Sequence, residues 1–292
     1  MTNIAVIGPG AIGCTIAAWL TQNALHSVTV AARSTLSVIE VQTRGGSLKA
    51  APRVVAQVSD AHPVDWVLVT TKAYDSQTAA EWFRGFCDAR TVVAILQNGV
   101  EHVERFAPYF PRERLLPVMV DIPAERTAPG RVHQRRNGRM IVPEGALGAR
   151  FVELFSHTPI AVSQAADFKS EVWRKLCLNA AGALSAIVLR PAVIARHDGI
   201  AQIMETIIRE CIAVGRAEGA ALDDSLVQTI VDGYRSTPDS INSIHADRLA
   251  GRQMEIDARN GVIVRLGRKH GIATPLNSMV VALLEAASGD KK

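Results

Sequence analysis

Apolar residues are distributed differently in the two halves of this chain. Up to about residue 115 they cluster in short, unbroken runs separated by turns. Residues 3–7, 27–32, 64–70 and 91–96 are runs of five to seven positions rich in Val, Ile, Leu and Ala. Unbroken apolar runs of this length predict strands of a parallel sheet covered on both faces. Residues 12–24 carry apolar side chains at helical spacing, so the order begins strand, helix, strand. That alternation predicts an α/β, doubly wound sheet. Between 115 and 165 the texture changes to short strands and turns, around Asp121-Ile122-Pro123 and again over 159–162. From residue 168 onward the spacing is helical almost throughout. Helices are predicted over 168–189, 200–218, 225–234, 240–270 (with breaks near Gly251 and Gly261) and 276–287, followed by a frayed tail over 288–292. The change of texture sets a domain boundary near 165–167, giving an N-terminal domain over 1–166 and a helical one over 167–292. A chain of 292 residues is of the right length for two domains.

The turn after the first run reads Gly8-Pro9-Gly10-Ala11-Ile12-Gly13. A strand before it and a helix after it make this GxGxxG a phosphate cradle of the Rossmann type. Gly8 allows the tight turn, Gly10 lets a pyrophosphate approach the backbone, and Gly13 lets helix and sheet pack closely. The start of the helix then offers N–H groups and a favourable dipole to the phosphates. Enzymes that use NAD usually carry an acid at the end of the second strand, where it binds the ribose 2′-hydroxyl. Here that strand ends Ala31-Ala32-Arg33-Ser34. A guanidinium there matches a 2′-phosphate, so the expected cofactor is NADP(H), with Arg33 on the phosphate. Ligands of such sheets sit beyond the carboxyl ends of the strands. Lys72 lies just past the third run and Asn98 just past the fourth, so both belong on the same side as the glycine loop.

Charge and composition narrow the remaining classes. The net charge of +4 favours an anionic ligand only slightly. The dense basic cluster Arg131, Arg135, Arg136 and Arg139 brackets Asn137-Gly138, a two-residue hairpin signal. It reads as a solvated hairpin with charged edges rather than a nucleic-acid patch. The four cysteines, Cys14, Cys87, Cys177 and Cys211, form no CxxC and suggest no disulfide framework. With no secretion signal and no apolar stretch long enough to span a membrane, the chain is expected in the cytoplasm, without membrane or nucleic-acid partners and with a homodimer as the candidate assembly. The histidines are scattered, so no metal site is expected. There is no GxSxG of a serine hydrolase.

Together these features resemble the ketopantoate reductases (2-dehydropantoate 2-reductases), from the first strand to the last helices. The resemblance rests on the glycine loop, Arg33, Thr70-Thr71-Lys72-Ala73 and Gln97-Asn98-Gly99. It continues through Glu171-Val172-Trp173-Arg174-Lys175-Leu176 with Asn179, then Ser243, then Glu255-Ile256-Asp257 with Asn260-Gly261. It implies an N-terminal Rossmann domain, a C-terminal helical domain and an active site in the cleft between. The implied reaction is NADPH-dependent reduction of a small 2-oxo acid, 2-dehydropantoate, to (R)-pantoate in pantothenate biosynthesis. The resemblance makes Lys175 the general acid and Asn98 a contact of both cofactor and substrate. It assigns Asn179 and Ser243 to substrate, Glu255 both to orienting substrate and to touching the nicotinamide ribose region of the cofactor, and Lys72 to the cofactor side. Lys175 and Asn179 are four apart on a predicted helix and so project from one face.

The chain also departs from the family pattern. A second asparagine, usual one turn beyond the position of Asn179, is absent near Ala183, and the stretch Ala180–Ser185 is one residue shorter. A further asparagine near Pro191-Ala192-Val193 is missing too. These positions concern substrate, not cofactor. They motivate two alternatives: a reductase of another 2-oxo acid on the same fold, and a non-catalytic NADPH-binding sensor.

Overall fold

The structure is a computed structural model describing residues 1–33 and 36–288. It divides into two compact units, Met1–Phe168 and Lys169–Lys292. The first contains β1 (Thr2–Ile7), α1 (Ala11–Leu20), β2 (His26–Ala31), β3 (Ile39–Thr43), β4 (Gly46–Ala50), β5 (Arg53–Val55) and β6 (Trp66–Val69). These are followed by α2 (Ser76–Glu81), α3 (Phe83–Phe86), β7 (Val92–Ile95), α4 (His102–Phe106), β8 (Leu115–Pro117), β9 (Met119–Asp121), β10 (Ala124–Ala128), β11 (Arg131–Gln134), β12 (Arg139–Pro143), α5 (Ala146–Leu154) and β13 (Ala161–Ala165).

Six strands form a parallel sheet in the order β5-β2-β1-β6-β7-β8. This is the doubly wound Rossmann arrangement, with strand order reversing between β1 and β6. Side chains alternate across a strand, so each run serves two cores. Ile4, Val6, Leu68 and Ala94 pack on the α1 side. Ala5, Ile7, Val67, Val69, Val93 and Ile95 pack on the other, against Phe83, Phe86 and Phe106. Burial on both faces is why the strands read as unbroken apolar runs.

A second sheet, β10-β11-β3-β4, covers the outer side of α1. Its presence explains a helix that is apolar nearly all round, with Cys14, Ile16, Ala17, Ala18 and Leu20 buried. Trp19 on the same helix donates its indole N–H to Gln134 Oε1 at 2.9 Å. A third sheet, β13-β12-β9, carries α5.

The hairpin expected at Asn137-Gly138 is not formed. β11 pairs with β10 and β3, whereas β12 pairs with β13 and β9. The hairpin turn lies one strand earlier, between Ala128 and Arg131, with Gly130 at φ +69°. Asn137-Gly138 instead marks the crossing from one sheet to another. A Cβ on Gly138 would lie 3.0 Å from Ile122 Cα, so glycine is there for close approach. Three of the four arginines are paired: Arg135 with Glu125 at 2.5 Å, and Arg136 and Arg139 with Asp121 at 3.4 Å.

The second unit contains α6 (Phe168–Val188), α7 (Asp198–Ala217), α8 (Ser225–Ser236), α9 (Ser243–Leu249), α10 (Val262–His270) and α11 (Pro275–Ala287). A π-helical turn, Asp257–Gly261, leads into α10. The long predicted stretch over 240–270 is thus broken near Gly251 as expected, but not at Gly261, where the π turn runs straight into α10. α10 ends at Gly271, in the left-handed conformation with φ +67°. Glu210 on α7 is buried and accepts from the backbone N–H groups of Leu276 and Asn277, both at 2.9 Å, which caps α11 from a neighbouring helix. No helix among the described residues is long and apolar enough to cross a membrane. The predicted tail beyond Ser288 lies outside the described residues, as does Ser34.

Candidate functional site

The glycine loop is held by interlocking backbone constraints. Gly8 has φ +97°, and a Cβ there would lie 2.8 Å from the Thr71 backbone nitrogen. Gly13 is closer still, since its Cβ would lie 2.2 Å from the Gly8 carbonyl oxygen. Thr70, at the end of β6, reaches back with its hydroxyl 2.8 Å from the Gly8 carbonyl oxygen and 2.9 Å from that of Ile7. Cys14 lies behind the loop, its thiol 3.3 Å from the Pro9 carbonyl oxygen. Burial pushes that thiol up to about 11, so it stays protonated and can donate.

Gly10 differs from its two partners. A Cβ there would meet nothing within 4 Å. The space beside it is open, and Pro9, Gly10, Ala11 and Ile12 are all partly accessible. Gly10 also caps α1 without any side-chain hydrogen bond, and the first turn holds no acid. Leading N–H groups of a helix have no intrahelical acceptor. An open glycine before an uncapped helix start fits a pyrophosphate, so the residues present fit a dinucleotide.

The neighbouring strand ends extend this edge. Gln97, buried at the end of β7, donates through Nε2 to Thr71 Oγ1 at 3.0 Å and to the Lys72 carbonyl at 3.2 Å. The Gln97 carbonyl accepts from His102 Nε2 at 2.8 Å, and the Asn98 carbonyl accepts from Arg105 at 2.9 Å. A carbonyl only accepts, so His102 carries its proton on Nε2. Burial, then the Arg105 charge, brings this imidazole down to about 4, so it is neutral at ordinary pH. Lys72 and Asn98 are half-buried just past the ends of β6 and β7. Arg33 follows β2 by two residues and is exposed on the same side. Gly8, Pro9, Gly10, Ala11, Ile12, Gly13, Arg33, Lys72 and Asn98 therefore share one end of one sheet.

In the helical unit, α6 carries Lys175 and Asn179 one turn apart, both half-buried. The adjacent Arg174 is held by Glu171 at 2.6 Å and by the Ala221 carbonyl at 3.2 Å. The turn around Asn179 is gripped from several sides. Its Leu178 carbonyl accepts from the Tyr234 hydroxyl at 2.9 Å, and that of Asn179 accepts from Arg259 at 2.6 Å. Those of Ala180 and Gly182 accept from Asn260 at 3.3 Å and Asn242 at 2.7 Å. Gly182 is required here, because a Cβ would lie 2.2 Å from the Tyr234 oxygen. Ala183 is fully buried. Ser243 opens α9 and is exposed, and its hydroxyl oxygen accepts from Arg259 at 3.3 Å. Glu255 is buried two residues before the π-helical turn. Arg259, inside that turn, thus joins Asn179 and Ser243, with Glu255 among the charges that favour its ionised form.

A family model described as ketopantoate reductase PanE/ApbA matches residues 4–146, and that of its C-terminal part matches residues 167–288. The chain belongs to the ketopantoate reductase family. It is 56% identical over 289 residues to a 2-dehydropantoate 2-reductase of Caulobacter vibrioides, covering 99% of this chain and 100% of the relative. A protein of the same name from Mycobacterium tuberculosis is 39% identical over 295 residues, covering 98% of both chains. Among solved structures, a PanE/ApbA family ketopantoate reductase from Ralstonia eutropha superimposes with a TM-score of 0.91 at 28% identity, covering 98% of each chain.

Three supporting residues were given no role from the sequence, although Thr70 and Gln97 stand in the motifs that carry the resemblance. Thr70 latches the loop, Gln97 ties β6 to β7, and Arg259 bridges Asn179 and Ser243. Thr70 and Gln97 lie at strand ends on the ligand side, which is a usable signal. Arg259 gives none, because an arginine in a helical stretch reads as surface.

Proposed function

We propose that this protein reduces 2-dehydropantoate to (R)-pantoate with NADPH. The reading is carried by the full-length likeness to a 2-dehydropantoate 2-reductase, 56% identical, in a chain that has Lys175, Asn179, Ser243 and Glu255 in its helical unit. Residues 1–166 hold the cofactor and 167–292 carry the substrate side. NADPH, when bound, supplies the hydride that becomes the new C–H bond at the keto carbon. The keto oxygen gathers negative charge as this happens and must receive a proton. Lys175 meets both needs: its ammonium stabilises the developing charge, gives its proton to that oxygen, and is recharged from solvent. Asn179 and Ser243 bind the acid, and Glu255 orients it toward the nicotinamide ribose. Asn98 touches substrate and cofactor, Lys72 lines the cofactor side, and Arg33 binds the 2′-phosphate. Hydride plus proton converts the ketone to the alcohol and leaves NADP+. The protein works in the cytoplasm as a homodimer, which sedimentation equilibrium reads directly.

Ala183 favours a second reading, reduction of a different branched 2-oxo acid. The resemblance expects an asparagine there, and a site lacking a buried hydrogen-bond partner discriminates differently. A panel of 2-oxo acids with NADPH separates the two. The first reading expects 2-dehydropantoate to have the highest kcat/KM of the panel. Negligible turnover of it beside good turnover of another acid establishes the second.

A further inference from the structure

The buried arginine of the π-helical turn has no place in the reaction as described so far. Arg259 is 1% exposed and lies in a five-residue π segment, a rare geometry that turns side chains away from where an α-helix would aim them. Its two terminal nitrogens go to different elements. Nη2 donates to the Asn179 carbonyl on α6 at 2.6 Å, and Nη1 donates to Ser243 Oγ on α9 at 3.3 Å. Nε is buried without a partner among the described residues. Burial lowers the guanidinium's pKa, while Tyr234, Glu255 and Asp247 push it back. A guanidinium this basic stays charged in a folded protein.

The chemistry of the Ser243 contact has a direct consequence. A guanidinium has donors only, so Ser243 Oγ must be the acceptor. A hydroxyl has one proton, and with an oxygen lone pair committed to Arg259 that proton points elsewhere, as a donor polarised by the positive charge behind it. Ser243 is exposed at the first position of its helix, so its proton is available to an incoming acceptor. The strongest acceptor on a 2-oxo acid is its carboxylate. Arg259 also fixes the carbonyl of Asn179, the other residue assigned to substrate, so one fork sets the positions of both.

Resting on the assignment of Asn179 and Ser243 to the 2-oxo acid, we propose that Arg259 is a positioning and specificity residue. It holds Ser243 as a hydrogen-bond donor to the substrate carboxylate and locks the Asn179 turn beside it. It touches neither substrate nor cofactor, and it reinforces acid recognition on a helix face that has alanine at position 183.

The test is a double-mutant cycle on the full-length protein. Arg259→Lys keeps a positive charge but loses the fork, and Ser243→Ala removes the hydroxyl. KM and kcat for 2-dehydropantoate, Kd for NADPH and the melting temperature are measured for wild type, both single variants and the double variant. Arg259→Lys is expected to raise KM about tenfold, the scale of one charge-assisted hydrogen bond, with kcat and NADPH Kd within about twofold. In the Ser243→Ala background the same change is expected to move KM less than about threefold, because its main route is gone and only the Asn179 contact remains. Full multiplication of the two effects overturns the proposal. So does an unchanged KM in either single variant, or a loss of kcat and NADPH binding in step with stability, which marks a purely structural arginine. If wild type does not reduce 2-dehydropantoate, the functional reading fails alone. The cycle is then run on the 2-oxo acid that wild type does reduce, and the same outcomes decide the proposal.

Discussion

The glycine loop and the Asn179 turn hold their polar groups by different means. In the first, main chain is fixed largely by main chain: Gly13 lies against the Gly8 carbonyl, Gly8 against the Thr71 backbone, and Thr70 latches the turn. In the second, a regular helix is gripped by side chains from distant positions. Tyr234, Arg259, Asn260 and Asn242 reach four of its carbonyls between Leu178 and Gly182. The backbone device suits a ligand whose phosphates are the same in every dinucleotide enzyme. The side-chain device suits a ligand that differs between enzymes of one fold, because each grip can change without disturbing the sheet.

The comparison is broken or sharpened by five substitutions. The largest expected effect is at Lys175. Lys175→Ala should lower kcat about a hundredfold to ten-thousandfold, the usual share of a general acid, while NADPH binding by fluorescence titration stays unchanged. A wild-type kcat would remove Lys175 from the chemistry.

Next come the glycines, which separate fit from function. Gly13→Ala should cost about 3 kcal/mol of stability and abolish NADPH binding, because the new Cβ meets backbone that cannot retreat. Gly10→Ala should leave the melting temperature within about 2 °C, since the space is open, yet weaken NADPH at least about tenfold. Equal melting temperatures for the two variants would contradict the interlocked loop.

His102 gives a pH signature for the first unit. Its folded pKa, about 4, lies below the ordinary value of 6.5 for imidazole. The unfolded chain therefore binds the proton more readily between these values. The contribution is complete above about pH 6.5 and is lost as the pH falls toward 4, amounting to at most about 3 kcal/mol. Urea unfolding from pH 7.5 to 4.5 should show that slope, and His102→Gln should flatten it.

The smallest effect is also the most selective. Arg33→Ala should weaken NADPH about ten- to a hundredfold and leave NADH almost unchanged, as expected for a lost charge-assisted contact to a 2′-phosphate. Equal losses for both cofactors would place Arg33 elsewhere on the dinucleotide.

What could be read from the sequence follows the same division. β1, α1, β2, β6 and β7 were legible because burial on both faces of a parallel sheet writes unbroken apolar runs. The glycine loop was legible because close backbone contacts at Gly8 and Gly13 admit no other residue. The helices of the second unit were legible from spacing, including the break near Gly251, whereas the break expected at Gly261 is a π turn continuous with α10. The sheet over α1 was not, since β3, β4 and β10 are short, half-exposed strands with little periodicity. Asn137-Gly138 misled because a turn signal also serves a crossing between sheets, and the Ile122 contact that requires glycine is invisible locally. Arg259 was illegible for a related reason. Its burial depends on a π-helical turn and on Asn179, 80 residues away in the chain.

The most direct test follows the hydride itself. NADPH deuterated at the transferring position of its nicotinamide is given to the wild-type protein with 2-dehydropantoate, and the product is read by mass spectrometry. Pantoate carrying one deuterium on the former keto carbon, formed one for one with NADP+, is the predicted result. NADPH that remains unoxidised, or pantoate without the label, would contradict it.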